Sequence, residues 1–301
     1  MVCNKGFGFD GRDGFDGSTA SGRGFLRMSH DMNNEPALQL TSGELAHYDE
    51  HGFAVRQGVF EPQECEVFRS AAQRVESKML RLTDSAEDSN RYTDYCLDGN
   101  RFVDVEHVTV QFEHSAHARQ LRVVEPVNDV EPAFDHLIDD ARLCEPMKQL
   151  VPSDRLGLWT AKLNFKHPRV GSGFGWHQDA PYWIHDSGHV EKLPNVMVMF
   201  DDAARSNGCL RVIAGSHKAG CLPGCDDNRQ LAGFYTHPDT FDQDAQVLIE
   251  CTAGSVVFFD PHIVHGSGVN TSGLPRRAII ITYQPNGFAA LKSGAIRPVG
   301  D

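Results

Sequence analysis

Apolar residues recur at helical spacing in the first patterned part of the chain. Thr41 followed by Glu44 forms a capping-box pair, which predicts a short helix ending near Gly52. Pro62 in a first helical turn predicts a longer second helix. The apolar residues at three- and four-residue intervals in that helix are Phe68, Ala71, Ala72, Val75 and Met79. One or two further helices are expected between Phe134 and Val151.

From about Leu156 the pattern changes to short runs rich in β-branched and aromatic residues. Gly, Pro, Asp and Asn separate these runs, as expected for strands joined by turns. The predicted strands are Leu158–Phe165, Val196–Phe200, Cys209–Ile213, Val247–Cys251, Val256–Phe259 and Ala278–Tyr283. A parallel α/β sheet would need helices between its strands, and the intervening segments look like loops. Helices followed by many strands predict a mainly β fold, a sandwich or jelly roll with helices packed outside.

The first 35 residues are rich in Gly, Ser, Asp and Asn. Such a segment cannot bury enough apolar surface to offset the entropy of ordering, so residues 1–35 are predicted to be a flexible tail. Residues 36–301 are expected to form one domain. A chain of 301 residues, 40% of them hydrophobic, is long enough to bury a large core.

The formal net charge of −13 argues against a nucleic-acid partner, because phosphate binding needs a basic surface. The same charge disfavours a role at a membrane surface. The first residues lack the apolar core of a signal peptide, and no apolar stretch is long enough to span a bilayer. The sequence therefore predicts a soluble, cytoplasmic protein and leaves its oligomeric state open.

Eight cysteines are scattered along the chain, and the one close pair is Cys221 and Cys225, spaced C-x3-C. No second pair completes a zinc site, so free thiols are favoured over metal ligands. A chain of this size with a proper core does not need disulfides.

A candidate metal site lies in Trp176-His177-Gln178-Asp179, just after a Gly-rich turn at 171–175. On an extended chain, residues two apart point to the same face, so His177 and Asp179 can share one face. An imidazole nitrogen and a carboxylate oxygen are two of the three ligands in the 2-His-1-carboxylate set that suits Fe(II). A surface loop with two polar residues is the alternative if this motif stands alone.

The second histidine comes from the segment that follows the apolar strand Val256–Phe259. His262 and His265 compete for the role, and on an extended segment they face opposite sides. His265 is preferred because Gly266-Ser267-Gly268 follows it directly. A histidine at the end of a buried strand can face the interior of a jelly roll.

Arg276 lies eleven positions after His265, at the predicted start of a strand. A planar guanidinium inside a fold pairs best with a carboxylate, which it can bind through two parallel hydrogen bonds. The alternative is that Arg276 merely caps the loop, together with its neighbour Arg277.

Three motifs in order make the chain resemble the phytanoyl-CoA dioxygenase family of Fe(II)/2-oxoglutarate oxygenases. They are W-H-Q-D at 176–179, N-G-C-L-R-V-I-A-G-S-H at 207–217 and H-G-S-G-V-N-T-S-G-L-P-R-R at 265–277, within a resemblance that spans about residues 45 to 290. The resemblance implies a double-stranded β-helix, the cupin-like jelly roll. It also implies Fe(II), 2-oxoglutarate as cosubstrate, and O2.

The resemblance assigns roles to individual residues. His177, Asp179 and His265 become the metal ligands. Arg276 and Ser267 become partners of the far carboxylate of 2-oxoglutarate. Asn164 matches a family position that contacts the cosubstrate, and its neighbour Lys162 is a candidate helper. Ordinary strand residues satisfied by their neighbours are the alternative for both.

The implied activity is hydroxylation of a small molecule with release of succinate and carbon dioxide. The presence of Asp179 favours hydroxylation, or a desaturation or cyclisation variant, over halogenation. Candidate substrate contacts are Tyr182 and Trp183 after the metal motif, and Gln111 with Phe112 on a candidate strand before it. An amino-acid-like or natural-product substrate is expected. The alternative function is a non-catalytic jelly roll that binds metal or senses 2-oxoglutarate.

Overall fold

Two helices flank the first strand of the part of the chain that the structure describes. The computed structural model describes residues 38–84, 92–97, 100–113, 119–225 and 235–300. The first elements are α1 (Ser42–His51), β1 (Phe53–Arg56) and α2 (Pro62–Asp84). The capping box of Thr41 with Glu44 is present, and Gly52, with a left-handed φ of 83°, caps the C-terminal end of α1. Both helices are confirmed, including the predicted buried face of α2.

Four strands that follow α2 in the sequence form what we call the sheet extension. They are β2 (Tyr92–Leu97), β3 (Asn100–Val105), β4 (Val108–Phe112) and β5 (Leu121–Glu125). Apart from the candidate strand at Gln111, the sequence analysis did not predict them. In β4, buried and half-buried residues alternate, and Thr109 and Gln111 lie on the face opposite Val110. Because the face that carries Thr109 and Gln111 is polar, β4 lacks the apolar run that marks the other strands.

The rest of the chain supplies the remaining helices and strands. The helices are α3 (Pro132–Ile138), α4 (Ala141–Leu150) and α5 (Ala180–Trp183), with 3-10 turns at Val190–Lys192, Arg205–Asn207, Ser216–Ala219, Pro238–Thr240 and Gln243–Ala245. The strands are β6 (Leu156–Asn164), β7 (Phe174–His177), β8 (Asn195–Met199), β9 (Leu210–Ile213), β10 (Gln246–Ile249), β11 (Val256–Phe259), β12 (His265–Ser267), β13 (Ala278–Pro285) and β14 (Pro298–Val299). Each predicted strand overlaps an observed one. The short strands β7 and β12 were not predicted.

The strands form two antiparallel sheets, which confirms the predicted mainly β jelly roll with flanking helices. The larger sheet has the order β1-β11-β8-β13-β6-β5-β4-β3-β2, with β14 added to β6, and the smaller has the order β10-β9-β12-β7. One apolar core packs the helices on the larger sheet, and a second joins residues of both sheets. Non-consecutive neighbours in both sheets bring distant segments of the sequence together.

The remaining fold predictions concern the membrane and the domain organisation. Among the described residues, every helix is too short or too polar to traverse a lipid bilayer. The predicted flexible tail at 1–35 lies outside the described residues. The single domain at 36–301 stays a prediction.

Candidate metal centre

Three side chains that could hold a metal ion come together beside the smaller sheet. His177, Asp179 and His265 each offer one ligand atom, and these atoms all lie within 4.8 Å of one another. Asp179 and His265 are buried, and His177 is partly exposed. Within the described residues, this is the one such group of His, Cys, Asp and Glu side chains. The structure thus gathers the three residues that the sequence analysis selected.

The two histidines face each other across a strand pair. His177 ends β7, His265 begins β12, and the antiparallel register pairs them directly. Their ring centroids lie 4.2 Å apart. Asp179 has helical dihedrals, φ −75° and ψ −35°, and leads into α5. The two side chains come together as expected, but the extended backbone expected at Asp179 is wrong, because β7 ends at His177 and the chain enters α5.

Backbone carbonyls fix the orientation of both imidazoles. Nδ1 of His177 donates to the carbonyl of Gly175 at 2.8 Å, and Nδ1 of His265 donates to that of Ile263 at 3.0 Å. A carbonyl only accepts, so each neutral ring carries its proton on Nδ1 and keeps the lone pair on Nε2. These Nε2 atoms lie 3.9 and 3.8 Å from the carboxylate oxygens of Asp179.

The local electrostatics set protonation states that suit a cation. Burial, followed by the proximity of His265, lowers the pKa of His177 to about 3. Burial pushes the pKa of Asp179 upward, but its electrostatic interactions with His265 and Lys162 act against burial, and the net pKa is lowered. Neutral imidazole and ionised carboxylate are the metal-binding forms of these groups.

A residue that the sequence analysis missed holds the carboxylate of Asp179. Asn195, the first residue of β8, donates from Nδ2 to Oδ2 of Asp179 at 2.8 Å. Thr282 of β13 donates from Oγ1 to Oδ1 of Asn195 at 2.6 Å, which fixes the orientation of the amide. All three side chains are buried. Nothing in the sequence around Asn195 signals this contact, because it reads as an ordinary strand start.

The competing histidine lies elsewhere. Nδ1 of His262 is 3.4 Å from Oδ1 of Asp260, and the three-residue group contains His265 instead. Gln178, between the two ligand candidates, is fully buried and bonds to the backbone of Gly220, Leu222 and His262. It ties the metal motif to two loops, which is a structural role.

A cavity of about 300 Å³ opens beside the three-residue group. Predicted site residues that line it are Gln111, Lys162, Asn164, Tyr182, Ser267 and Arg276. Lining residues that the sequence analysis did not select include Phe102, Thr109, Arg122, Glu125 and Lys292. The larger sheet, which includes the sheet extension, therefore supplies much of the wall.

Two aromatic residues predicted at this cavity lie behind its surface. Trp183 is 2% exposed and packs against Trp159 and Leu193, with Nζ of Lys162 5.0 Å from its ring centroid. Phe112 belongs to the main core. Neither lines the cavity, because α5 and β4 turn these apolar rings toward other apolar side chains.

Arg276 lies two residues before β13, at the end of the β6–β13 pair. It is 1% exposed, and burial lowers its pKa to about 10. In the described part of the chain, Nε and Nη1 of Arg276 have no hydrogen-bond partner although both are buried. Arg277 points elsewhere and donates twice to Asp201 at 2.8 Å. A buried, partly unsatisfied guanidinium on a cavity wall fits an anionic ligand.

A second buried basic residue, Lys166, lies close to Arg276. The two residues exchange backbone hydrogen bonds at 3.0 and 3.1 Å. Nζ of Lys166 donates to the carbonyls of Ser172 and Gly268, which joins the loops on either side. Burial, followed by the charges of Arg276 and Arg122, lowers the pKa of Lys166 to about 6.

The sequence profile of the phytanoyl-CoA dioxygenase family matches residues 48–278. The chain is 30% identical over 139 residues to L-proline trans-4-hydroxylase of Streptomyces griseoviridis, covering 40% of this chain and 52% of that protein. It is 28% identical over 198 residues to ectoine dioxygenase of Streptomyces avermitilis, covering 60% of this chain and 64% of that protein. These matches span between half and two thirds of the relatives' lengths.

Solved structures share the fold. EctD from S. alaskensis with 2-oxoglutarate and 5-hydroxyectoine has a TM-score of 0.62 at 19% identity, covering 88% of this chain and 83% of that one. The epimerase SnoN in complex with Fe3+, alpha ketoglutarate and nogalamycin RO has a TM-score of 0.58 at 19% identity, with 86% of each chain covered. At these identities the likeness is one of fold.

Proposed function

Because the chain belongs to the phytanoyl-CoA dioxygenase family, we propose that it is an Fe(II)- and 2-oxoglutarate-dependent dioxygenase that hydroxylates a small molecule. The reaction consumes O2, converts 2-oxoglutarate to succinate and carbon dioxide, and leaves the second oxygen atom on the substrate. The observation that carries the proposal is a His-Asp-His group and a buried, partly unsatisfied arginine on the wall of one cavity.

The donor atoms fit Fe(II). Two imidazole nitrogens with free lone pairs and one ionised carboxylate form the 2-His-1-carboxylate set, which leaves coordination positions open for other ligands. His177, Asp179 and His265 hold the metal in this proposal. The Gly175 and Ile263 carbonyls and the Asn195 amide orient these ligands before the metal arrives.

The cavity also fits 2-oxoglutarate. Arg276 pairs with the far carboxylate of the cosubstrate, and Ser267, buried on the same wall, supplies a hydroxyl. Asn164 and Lys162 are two apart on β6 and both line the cavity. The charge of Lys162 acts on the pKa values of His177 and Asp179, which supports a role for Lys162 near the metal end of the cosubstrate.

Bound iron and 2-oxoglutarate supply the oxidising power for attack on an unreactive C–H bond. The chain supplies position and exclusion of water. Arg276 and the three metal ligands fix the cosubstrate at two ends, so its orientation does not depend on the substrate. Apolar side chains of Met197, Leu210 and Ile280 line the cavity and limit the entry of water.

The cavity leaves room for a small substrate beyond the cosubstrate. Its lining includes Phe102, Thr109 and Lys292 as well as Arg276 and the metal group, and a protein that only senses 2-oxoglutarate has no need of so extended a wall. Relatives are named for small polar molecules such as L-proline, ectoine and 2-aminoethylphosphonate. Gln111 and Tyr182, which line the walls, are the proposed substrate contacts.

The test is a screen of small amino-acid-like and natural-product molecules with Fe(II), 2-oxoglutarate and O2, read out as succinate. We expect succinate formation and oxygen consumption that depend on the substrate and occur in equal amounts. Binding of Fe(II) without any binding of 2-oxoglutarate or consumption of oxygen points instead to a metal-binding jelly roll without redox function. Binding of both, without turnover of any compound, favours the sensor.

We also propose a cytoplasmic location. Six cysteines in the described part of the chain are free thiols, including the exposed Cys221. Free thiols are typical of reducing compartments.

A further inference from the structure

A β-bulge in the sheet extension places a buried arginine on the cavity wall. The register pairs Gln111 with Val123 and Phe112 with Leu121, so Arg122 is an extra residue between the two pairs. In a regular strand Arg122 would share the face of Val124, which packs in the main core. A bulge re-aims the extra side chain, and Arg122 lines the cavity instead.

The guanidinium of Arg122 is held rigidly. The residue is 3% exposed, and its guanidinium carbon lies 3.8 Å from the ring centroid of Phe174. Nη2 donates to the carbonyl of Gly173 at 2.6 Å. Burial lowers the pKa of Arg122, an effect that the carboxylate of Glu113 opposes, and a guanidinium stays charged in the folded protein. A planar cation oriented in this way is suited to binding an oxyanion.

The cavity carries more positive than negative charge. Its described lining residues include four cationic side chains and two carboxylates, namely Arg122, Lys162, Arg276, Lys292, Glu125 and Asp179. The charges of Fe(II) and of 2-oxoglutarate cancel, so loading both does not remove the excess. Glu125 accepts from Oγ1 of Thr160 at 2.7 Å and lies 4.0 Å from Nζ of Lys162, so it is already engaged. The remaining charge favours an anionic second ligand over a cationic one.

The distance from Arg122 to the metal group suits a small molecule. Phe174, on which Arg122 stacks, precedes His177 by three residues in β7, roughly 10 Å along the strand. The ring of Tyr182, a proposed substrate contact, lies 5.8 Å from that of His177. A molecule of a few bonds anchored at Arg122 reaches the metal group.

We propose that Arg122 binds an anionic group of the substrate, a carboxylate or a phosphonate, so that the enzyme acts on small molecules with an acidic headgroup. This inference rests on the proposed function, because it assigns Arg276 to the cosubstrate and leaves Arg122 for the second ligand.

The test uses the full chain loaded with Mn(II), in place of Fe(II), and saturating 2-oxoglutarate. Binding of methylphosphonate and of its uncharged dimethyl ester is measured by calorimetry at constant ionic strength. We expect saturable binding of the anion and not of the ester. Arg122→Leu should weaken anion binding by about 10- to 100-fold, and Arg122→Lys should recover part of it. Arg211→Leu is the matched control, because Arg211 stacks on Trp176 outside the cavity lining and should behave like the parent.

Several results overturn the inference. They are equal binding of the ester, no saturable binding by the parent, or full anion binding by Arg122→Leu. Arg122→Gln replaces the leucine variant if that variant does not fold, and the contrast between anion and ester in the parent is a test that needs no variant. Failure of Mn(II) or 2-oxoglutarate to bind sinks the proposed function, whereas their binding without methylphosphonate sinks the Arg122 site alone.

Discussion

The side-chain amide of Asn195 donates a hydrogen bond to the carboxylate of Asp179 over 2.8 Å, with no water between them. Because Thr282 bonds the other end of the amide, Asn195 cannot flip without losing both contacts. The carboxylate therefore presents a fixed oxygen to each histidine.

Removing this support should weaken the metal site without removing a ligand. Asn195→Ala is expected to lower Fe(II) affinity by about 10- to 100-fold, as for other residues that orient metal ligands. Metal titration of the purified variant measures it. Thr282→Val should have a smaller effect, since the amide keeps its bond to Asp179. Parent-like affinity in Asn195→Ala refutes the orienting role.

The ligands themselves should be indispensable. Replacing His177, Asp179 or His265 with Ala should abolish succinate formation and strongly reduce Fe(II) binding, because each variant removes one of three donor atoms. His262→Ala is the matched control and should retain both. A dead His262→Ala with an active His265→Ala shows that the wrong histidine has been assigned.

Arg276 should determine how tightly the protein binds 2-oxoglutarate. Arg276→Ala leaves a buried carboxylate without its partner, so the 2-oxoglutarate requirement should rise by roughly two orders of magnitude. Fe(II) affinity should change little, and Arg276→Lys should recover only part of the loss because an ammonium lacks the planar fork.

Arg277→Ala is the control for Arg276, since Arg277 is bound to Asp201. It should leave the 2-oxoglutarate requirement near that of the parent, measured by succinate formation. If Arg277→Ala raises the requirement and Arg276→Ala does not, Arg277 is the residue that binds the cosubstrate. If neither variant changes the 2-oxoglutarate requirement, the oxygenase assignment is wrong.

Lys166 should make stability depend on pH. Its pKa is about 6 in the folded protein because of burial and the charges of Arg276 and Arg122, against about 10.4 in an unfolded chain. Between these values the unfolded chain binds one more proton, so the free energy of unfolding rises with pH. One proton contributes up to about 1.4 kcal/mol per pH unit.

Lys166→Met should remove this contribution, so the stability of the parent relative to the variant should grow from pH 6 to pH 9. Urea denaturation at several pH values measures the difference. Lys148→Met, at a part-exposed lysine paired with Glu145, is the control and should keep the slope of the parent. Equal slopes in the parent and Lys166→Met show that Lys166 is charged in the folded protein at these pH values.

The sequence predicted those parts of the fold in which local pattern and burial agree. The strands β8 and β11 are buried at every position, and α2 buries one apolar stripe, so their patterns are unambiguous. The sheet extension turns the polar side chains of Thr109, Gln111 and Glu125 toward the cavity, which removes that signal. Trp183 was misplaced because an aromatic residue beside a metal motif looks the same whether it packs in the core or lines a cavity.

Some of the missed site residues left a trace in the sequence and others did not. Arg122 interrupts the apolar run Leu121-Arg122-Val123-Val124, and Lys166 lies two residues after β6, next to the buried Phe165. Both are basic residues where a core residue is expected. Asn195 left no trace, because its contact with Asp179 forms only when β8 folds against a segment that lies 16 residues earlier in the sequence.

The sheet extension supplies one part of the cavity wall that lies far from the metal group in the sequence. Phe102, Thr109, Gln111 and Glu125 come from residues 100–125, whereas the metal group begins at residue 177. The two stretches belong to different sheets, so a substitution in the first can reshape what the cavity admits while leaving the second in place. Grafting this short stretch between relatives therefore tests whether the choice of substrate can be changed without touching the metal ligands.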